Sequence, residues 1–360
     1  MGFEKLRLFN FRNLKDGEVD LGAREIFLVG ENGQGKTNLI EAVHLLCLGS
    51  SFREKREAAF LRNPDIPMGL HGRYSSRETG ESTFGFLSSP GRKKELRVND
   101  KQISDRRDLL AGVLCICFAQ QDMDFIVGAP EERRRFFDQT LAFFDFSFLD
   151  SLRGYRQVLH ARNFCLKSRQ SDILDTYDEQ LAEFGLALQQ RREALVRGFN
   201  EVFCPLFREI TGEDHAVEIR YIPSWQQLRG KEEVVAHLAA ARGRDLALGA
   251  TSSGPHRDVF SYLLGGRDYS HFGSTGQLRL CALALRIAQS QFLTKQSGRL
   301  PVLLLDDVLL ELDQEKKRAF VARFPTYEQA LFTFLPDEAY PSYATPDTLV
   351  LKVQGGEFHR

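Results

Sequence analysis

Gly30-Glu31-Asn32-Gly33-Gln34-Gly35-Lys36-Thr37 follows directly on the apolar run Ile26-Phe27-Leu28-Val29. Those residue types at that spacing form a phosphate-binding loop: a buried strand, a glycine-rich turn, then a helix. Triphosphate oxygens need several backbone N–H donors close together, and glycine lets the chain wrap that tightly. Lys36 supplies a point charge for the β- and γ-phosphates, and Thr37 supplies a hydroxyl for Mg²⁺. The helix that follows adds its own N-terminal donors and dipole. A bare match to this pattern arises by chance in about one per cent of chains this long. The loop predicts a nucleoside triphosphate site.

A second group of residues completes such a site. Val302-Leu303-Leu304-Leu305 runs into Asp306-Asp307. A continuously apolar strand suits the middle of a parallel sheet, whose two faces are both covered. Ligands of α/β sheets bind at the carboxyl ends of the strands, which puts Asp306 beside the Mg²⁺ of the phosphate loop. Asp307 would then face the γ-phosphate, where a carboxylate orients or deprotonates the attacking water. The plainer alternative is a buried strand ending in an acidic turn.

Upstream of that strand, Ser274-Thr275-Gly276-Gln277 leads into an apolar helix, Leu278–Gln291. Its donors, hydroxyl and positive dipole end suit phosphate. A capped surface helix explains the same four residues equally well. One nucleotide does not need two phosphate-gripping helix ends from one chain. The pair makes sense if the second grips the nucleotide of another copy, with ATP sandwiched between two protomers.

The elements that must position these groups are legible in part. Leu6 and Leu8 alternate with polar residues before the turn Asn13–Gly17, which predicts a β-hairpin in the first 30 residues. The helix from Thr37 to about Leu48 is apolar on nearly every side; Asn38, Glu41 and His44 form its one polar stripe. Such a helix packs beneath or between sheets. Residues 66–104 alternate in short runs broken around Ser75–Ser82 and Asn99-Asp100, predicting antiparallel strands. From Phe148 the period turns helical. Phe148, Leu152, Tyr155 and Leu159 share one face, and Leu174, Tyr177, Leu181, Phe184 and Leu188 share another, continuing raggedly through Leu195, Phe199 and Val202. That predicts a helical hairpin or compact helical lobe. A strand at Val217–Tyr221 and a helix near 231–242 follow.

Composition excludes several classes. At 42% hydrophobic and 27% charged, the 360-residue chain is an ordinary globular protein with length for a large core. The start Met1-Gly2-Phe3-Glu4-Lys5 carries no signal-peptide pattern, which leads us to expect no secretory leader, and no apolar run nears the ~18 residues of a membrane span. None of the six cysteines forms C-x-x-C, which predicts buried reduced thiols and a cytoplasmic protein. A net charge of −1 offers no global attraction to nucleic acid. DNA binding would need local patches, for which Arg92-Lys93-Lys94, Arg106-Arg107 and Arg133-Arg134-Arg135 are the candidates. Each run alone reads first as a solvated face.

The order of phosphate loop, Ser-x-Gly-Gln turn and Asp-Asp strand resembles the ABC-type ATPase heads. More narrowly, the chain resembles the RecF family of bacterial recombination mediators, relatives of the SMC heads, over nearly its whole length. Further blocks carry that resemblance: Asn10-Phe11-Arg12-Asn13; Asn38-Leu39 with Glu41-Ala42; Ser51-Phe52-Arg53; and Gly128 through Phe136 with Asp138. Arg244-Asp245, Gly254-Pro255-His256-Arg257-Asp258 and Glu311-Leu312-Asp313 complete the set. The resemblance implies an α/β fold: an ABC-type head with mixed sheets around the phosphate-loop helix, and a second, mainly helical lobe inserted. The expected divisions are 1–135, 136–249 and 250–360. It adds Arg12, Asn13 and Asn38 to the nucleotide contacts, and makes Ser274, Thr275, Gly276 and Gln277 contacts in trans.

The resemblance further implies an ATP-dependent homodimer, with ATP and Mg²⁺ as cofactors, that clamps duplex DNA near single-strand gaps. It implies work with RecO and RecR to help load RecA, slow hydrolysis as a release switch, and phosphate contacts by Arg133–Arg135 and Arg92–Lys94. Glu131-Glu132 before the arginines would equally form helix salt bridges. Three positions depart from the family pattern. Leu310 stands where a serine usually precedes Glu-Leu-Asp. Gln120-Gln121 replace Pro-Glu, and either of them, Gln121 above all, would contact Mg²⁺ or the attacking water. Val259 follows Asp258 where a second acid is common. The rivals are a transporter's nucleotide-binding subunit, a Rad50- or SMC-like head, a small-molecule kinase, which would lack the Ser-x-Gly-Gln turn, and a non-hydrolysing ATP-binding module. The first usually carries a glutamate at position 307 and a switch histidine within Phe332-Thr333-Phe334; the second needs far longer heptad arms.

Overall fold

Phe3, Leu6 and Leu8 are buried along β1 (Gly2–Phe9), while Lys5, Arg7 and Phe9 face outward. This is the alternation of a half-buried antiparallel strand. β1 pairs with β2 (Gly17–Asp20) as the expected hairpin and with β4 (Met68–Ser76) on its other side. β5 (Gly80–Ser88), β6 (Glu95–Val98) and β7 (Lys101–Ile103) extend the sheet, in the order β2-β1-β4-β5-β6-β7. Asn99 and Asp100, both at positive φ, make the two-residue turn between β6 and β7. The computed structural model describes residues 1–76, 80–170, 172–212, 215–308 and 323–360.

The second sheet is mixed. Its order is β15 (Glu357–His359), β14 (Thr348–Gln354), β3 (Glu25–Val29), β13 (Gln329–Phe334), β12 (Val302–Leu305) and β8 (Cys115–Phe118). All neighbours are parallel except β14 with β15. Helix α1 (Lys36–Leu48) lies between the two sheets, and its apolar residues join both in one core. Burial over most of its circumference explains why it lacks an apolar stripe. Gln329 ties the layers together. Its side chain accepts from Phe3 N at 2.8 Å and donates to the carbonyls of Phe3, Leu21 and Ala23 at 2.8–3.0 Å.

These sheets, α1 and the short α2 (Arg107–Gly112) make one unit, Met1–Asp122 with Ser297–Arg360; the other is Met123–Gln296. The inserted unit is wider than the 136–249 expected, taking in the arginine run and the Ser-x-Gly-Gln turn. It comprises α3 (Asp124–Val127), α4 (Pro130–Ala142), α5 (Phe146–Lys167), α6 (Leu174–Thr211), α7 (Lys231–Leu248) and α8 (Thr275–Ser297). A three-stranded antiparallel sheet, β11 (Arg267–Asp268), β10 (Val259–Leu264) and β9 (Glu218–Ile222), accompanies them. The ragged heptads resolve into α6, a single helix of 38 residues with Pro205 inside it.

Two buried arginines hold this second unit. Arg192 donates in a fork to Asp138 at 2.9 and 3.0 Å, and to Asp258 and the Pro255 carbonyl at 2.8 Å each. Burial disfavours its charge, but Asp138 and Asp258 outweigh that and push its pKa further up. Arg162 bonds Asp178 at 2.7 Å and Asp245 and Thr251 at 2.8 Å. Asp138, Asp245 and Asp258, which the family blocks single out, are thus partners of buried guanidinium groups.

Candidate nucleotide site

The phosphate loop follows β3 and ends at α1, as its sequence predicts. Gly35 caps the helix at φ 120°, a conformation that favours glycine, and no side chain caps the helix amides. Gly30 passes so close to β14 that a Cβ there would collide with the carbonyl of Val353. Gln34 is pinned from β14–β15: its side chain accepts from Gly355 N at 2.6 Å and its carbonyl from Gly356 N at 3.0 Å. Lys36 folds back over the loop, donating to the carbonyls of Gly30 and Glu31. A loop held in this shape offers open amides and an ammonium group on one side, which fits a polyphosphate.

Thr37 and Asp306 meet at the end of the parallel strands. The Thr37 hydroxyl donates to Asp306 Oδ1 at 2.8 Å. Octahedral Mg²⁺ holds its ligands at about 2.0–2.1 Å, so neighbouring ligand oxygens lie about 2.9 Å apart. The pair therefore already stands at the separation of two adjacent Mg²⁺ ligands. Burial pushes the Asp306 carboxyl up to about 6, with Asp307 adding to the effect and the Thr37 hydrogen bond opposing it. Asp307 adopts φ 53°, uncommon outside glycine, and is held by Thr333 of β13.

Beneath the loop lies a polar network centred on Glu41, which is fully buried. Arg12 donates to both its carboxylate oxygens at 2.9 Å, Arg53 at 2.7 Å and Ser51 at 2.5 Å. Burial raises the Glu41 carboxyl, but these hydrogen bonds outweigh it and its pKa is lowered. Arg53 also reaches Asn38, Asn38 bonds Asn13 at 2.5 Å, and Asn13 donates to the Gly33 carbonyl at 2.8 Å. Arg12, Asn13 and Asn38 are thereby joined to the phosphate loop. The polar stripe of α1 is explained by this network, with His44 bonded to the Ser50 carbonyl at 2.7 Å.

The glutamines occupy the same edge. Phe118 of β8 pairs with Leu305 of β12, so Gln120 and Gln121 follow β8 where Asp306 and Asp307 follow β12. Both are exposed, in the short turn Gln120–Met123. Leu310 and Glu311-Leu312-Asp313 lie outside the described residues.

In the second unit, Ser274 through Gln277 are all exposed at the start of α8. Ser274 N donates to Gln277 Oε1 at 2.9 Å and Gln277 N to Ser274 Oγ at 3.3 Å. This reciprocal capping box gives the motif a local structural role and presents it to solvent.

The basic runs divide. Arg133 donates to the Phe260 carbonyl at 3.1 Å, Arg134 to the Asp258 carbonyl at 2.7 Å, and Arg135 pairs with Glu132 at 2.5 Å. All three are half-buried; α4 packs on β10, which places Arg133 and Arg134 against backbone carbonyls at and just before that strand, while Arg135 pairs within its own helix. Lys94 pairs with Glu57 at 2.9 Å, whereas Arg92 and Lys93 are exposed. In the third run Arg106 is exposed and Arg107 pairs with Asp105 at 2.7 Å, so Arg92, Lys93 and Arg106 are the exposed cations of the three runs. Missed in the sequence were Gly355-Gly356, Gln329, Thr333 and the two arginine hubs. Only the glycine pair carried a local signal, as a hairpin turn.

Comparison with known proteins agrees with this architecture. The model of the RecF/RecN/SMC N terminal domain matches residues 3–338. A DNA replication and repair protein RecF of Treponema pallidum (strain Nichols) is 39% identical over 350 residues, covering 97% of this chain and 99% of that one. One of Leptospira interrogans serovar Lai is 34% identical, covering 95% and 94%. The recombination mediator protein RecF-ATP of the RecFOR pathway superposes with TM-score 0.89 at 27% identity, covering 99% and 97% of the two chains. A Pyrococcus furiosus Smc head superposes at 0.57 with 16% identity, a likeness of fold alone. On the family match and the near-complete coverage of these relatives, the chain belongs to the RecF family.

Proposed function

We propose that this chain is an ATP-binding DNA-repair protein that dimerises around two ATP molecules and closes on duplex DNA near single-strand gaps. The observation that supports this most strongly is the 2.8 Å contact between Thr37 and Asp306 beside a preformed phosphate loop. The exposed Ser274–Gln277 cap supports the dimer, because a second copy's phosphate has free access to it. When bound, Mg²⁺ would be held by Thr37 and Asp306 and would neutralise charge on the phosphates. Lys36 contacts the β- and γ-phosphates, and Gln121 sits at the edge where the attacking water would be oriented.

Asp307 is the base in this reading. It takes the proton that water loses as its oxygen bonds to the γ-phosphorus and the bond to ADP breaks. A carboxylate one methylene shorter than glutamate, tethered by Thr333, supports a slow reaction that serves as a release switch. Loss of the γ-phosphate removes contacts shared by both protomers, so the dimer opens. Family membership supports cytoplasmic work with RecO and RecR to help load RecA; no described helix is long and apolar enough to cross a membrane.

Sedimentation with and without ATP, together with phosphate release on gapped DNA, tests the proposal. Lys36→Ala should lose ATP binding and dimerisation together. Asp307→Asn should form a persistent ATP-bound dimer. A dimer that forms equally without ATP would refute the sandwich, and zero phosphate release on gapped DNA would favour a non-hydrolysing module.

A further inference from the structure

β13 is buried from end to end, and Thr333 is its one hydroxyl, set between Phe332 and Phe334. Packing alone does not explain a hydroxyl there, since buried polar groups are costly unless bonded. Its bonds point to one neighbour. Thr333 Oγ1 accepts from the backbone N–H of Asp307 at 2.8 Å and lies 2.9 Å from Asp307 Oδ1. The Leu305 carbonyl is at 3.4 Å, the poorer acceptor for the hydroxyl's single proton. One side chain therefore fixes both the backbone and the carboxylate of a residue at φ 53°. Such backbone persists only where its surroundings over-determine it.

We propose that Thr333 is the positioning residue for Asp307, the third member of a water–carboxylate–hydroxyl relay. It orients the base as a base is oriented by a third group in other hydrolytic sites. This rests on Asp307 acting as the base. The hydroxyl accepts the N–H that fixes the turn, and donates to one carboxylate oxygen so that the group cannot rotate freely. Its effect falls on turnover and leaves nucleotide binding alone, because Lys36, Thr37 and Asp306 make no hydrogen bond to it among the described residues.

The test is steady-state ATP hydrolysis on gapped DNA by the full-length chain. Thr333→Val keeps the shape and removes the hydroxyl; Thr333→Ser keeps the hydroxyl and removes a methyl. The valine variant should lower kcat on the order of tenfold, part of the effect of positioned proton transfer, with KM for ATP within about twofold. The serine variant should restore most of kcat. In an Asp307→Asn background Thr333→Val should cost nothing further. If Val does not fold, Thr333→Ala against Thr333→Ser gives the same contrast. Unchanged kcat in the valine variant, a change confined to KM, or an equal further loss in the Asp307→Asn background would overturn the proposal. If Asp307→Asn slows hydrolysis and Thr333→Val does not, only the positioning role falls. If Asp307→Asn hydrolyses ATP at the full rate, the base assignment falls and this proposal with it.

Discussion

The hydroxyl of Thr37 and the carboxylate of Asp306 stand 269 positions apart in the chain and 2.8 Å apart in space. Parallel pairing of β3, β13 and β12 brings them to one sheet edge. If they hold Mg²⁺, Asp306→Ala should abolish the increase in nucleotide affinity that Mg²⁺ gives. Affinity in chelator should stay within about threefold, because Lys36 and the loop amides bind phosphate without the metal. Calorimetric titration in Mg²⁺ and in EDTA measures both. A variant that still gains affinity from Mg²⁺ would remove Asp306 from the metal site.

Arg192 compensates two buried carboxylates, Asp138 and Asp258. Its loss leaves both charges without their partner. Arg192→Met should cost about 3–5 kcal/mol of stability in urea unfolding, the usual penalty for breaking a buried pair from one side. A loss under 1 kcal/mol would mean that water already reaches these groups.

His256 is kept neutral in the fold. Burial pushes its pKa down to about 4, with Arg257 and Arg134 adding to it and the Thr251 carbonyl opposing. Below about pH 6.5 the unfolded chain takes up a proton that the native one does not. This group's stabilisation is thus complete above pH 6.5 and is lost as pH falls toward 4. Between pH 7 and pH 5 it should lose about 2 kcal/mol. His256→Gln should flatten that part of the slope in urea unfolding at the two pH values; an unaltered slope would contradict the assignment.

Arg92 and Lys93 are the exposed members of their run, while Arg133 and Arg134 bond the backbone around β10. Replacing Arg92 and Lys93 by alanine should make the log–log salt dependence of DNA affinity shallower by about 2, one phosphate each. Replacing Arg133 and Arg134 should lower stability and leave the slope alone. The reverse pattern would restore the arginine run as the DNA contact.

What was legible in the sequence was whatever is local. The phosphate loop, the aspartate strand, the first hairpin and the Ser-x-Gly-Gln helix start each declare themselves within a few adjacent residues. The arginine hubs do not, since Arg192 meets Asp138 and Asp258 across 54 and 66 positions. Charge runs are ambiguous for a related reason. Whether Arg133 faces solvent or a neighbouring carbonyl depends on which strand packs against α4. Thr333 looked like a gap in a switch-histidine pattern until β13 was placed beside β12. Boundaries were missed because α6 and α8 continue beyond the periodic stretch that announces them.

The most direct measurement mixes two defective chains. Lys36→Ala keeps an intact Ser274, and Ser274→Arg keeps an intact Lys36; with ATP neither should dimerise alone. Mixed, they can build one complete site, from Lys36 of one protomer and Ser274 of the other. Sedimentation should then show an ATP-dependent heterodimer found in neither sample separately. No new species on mixing, or a dimer in either variant alone, would contradict the account.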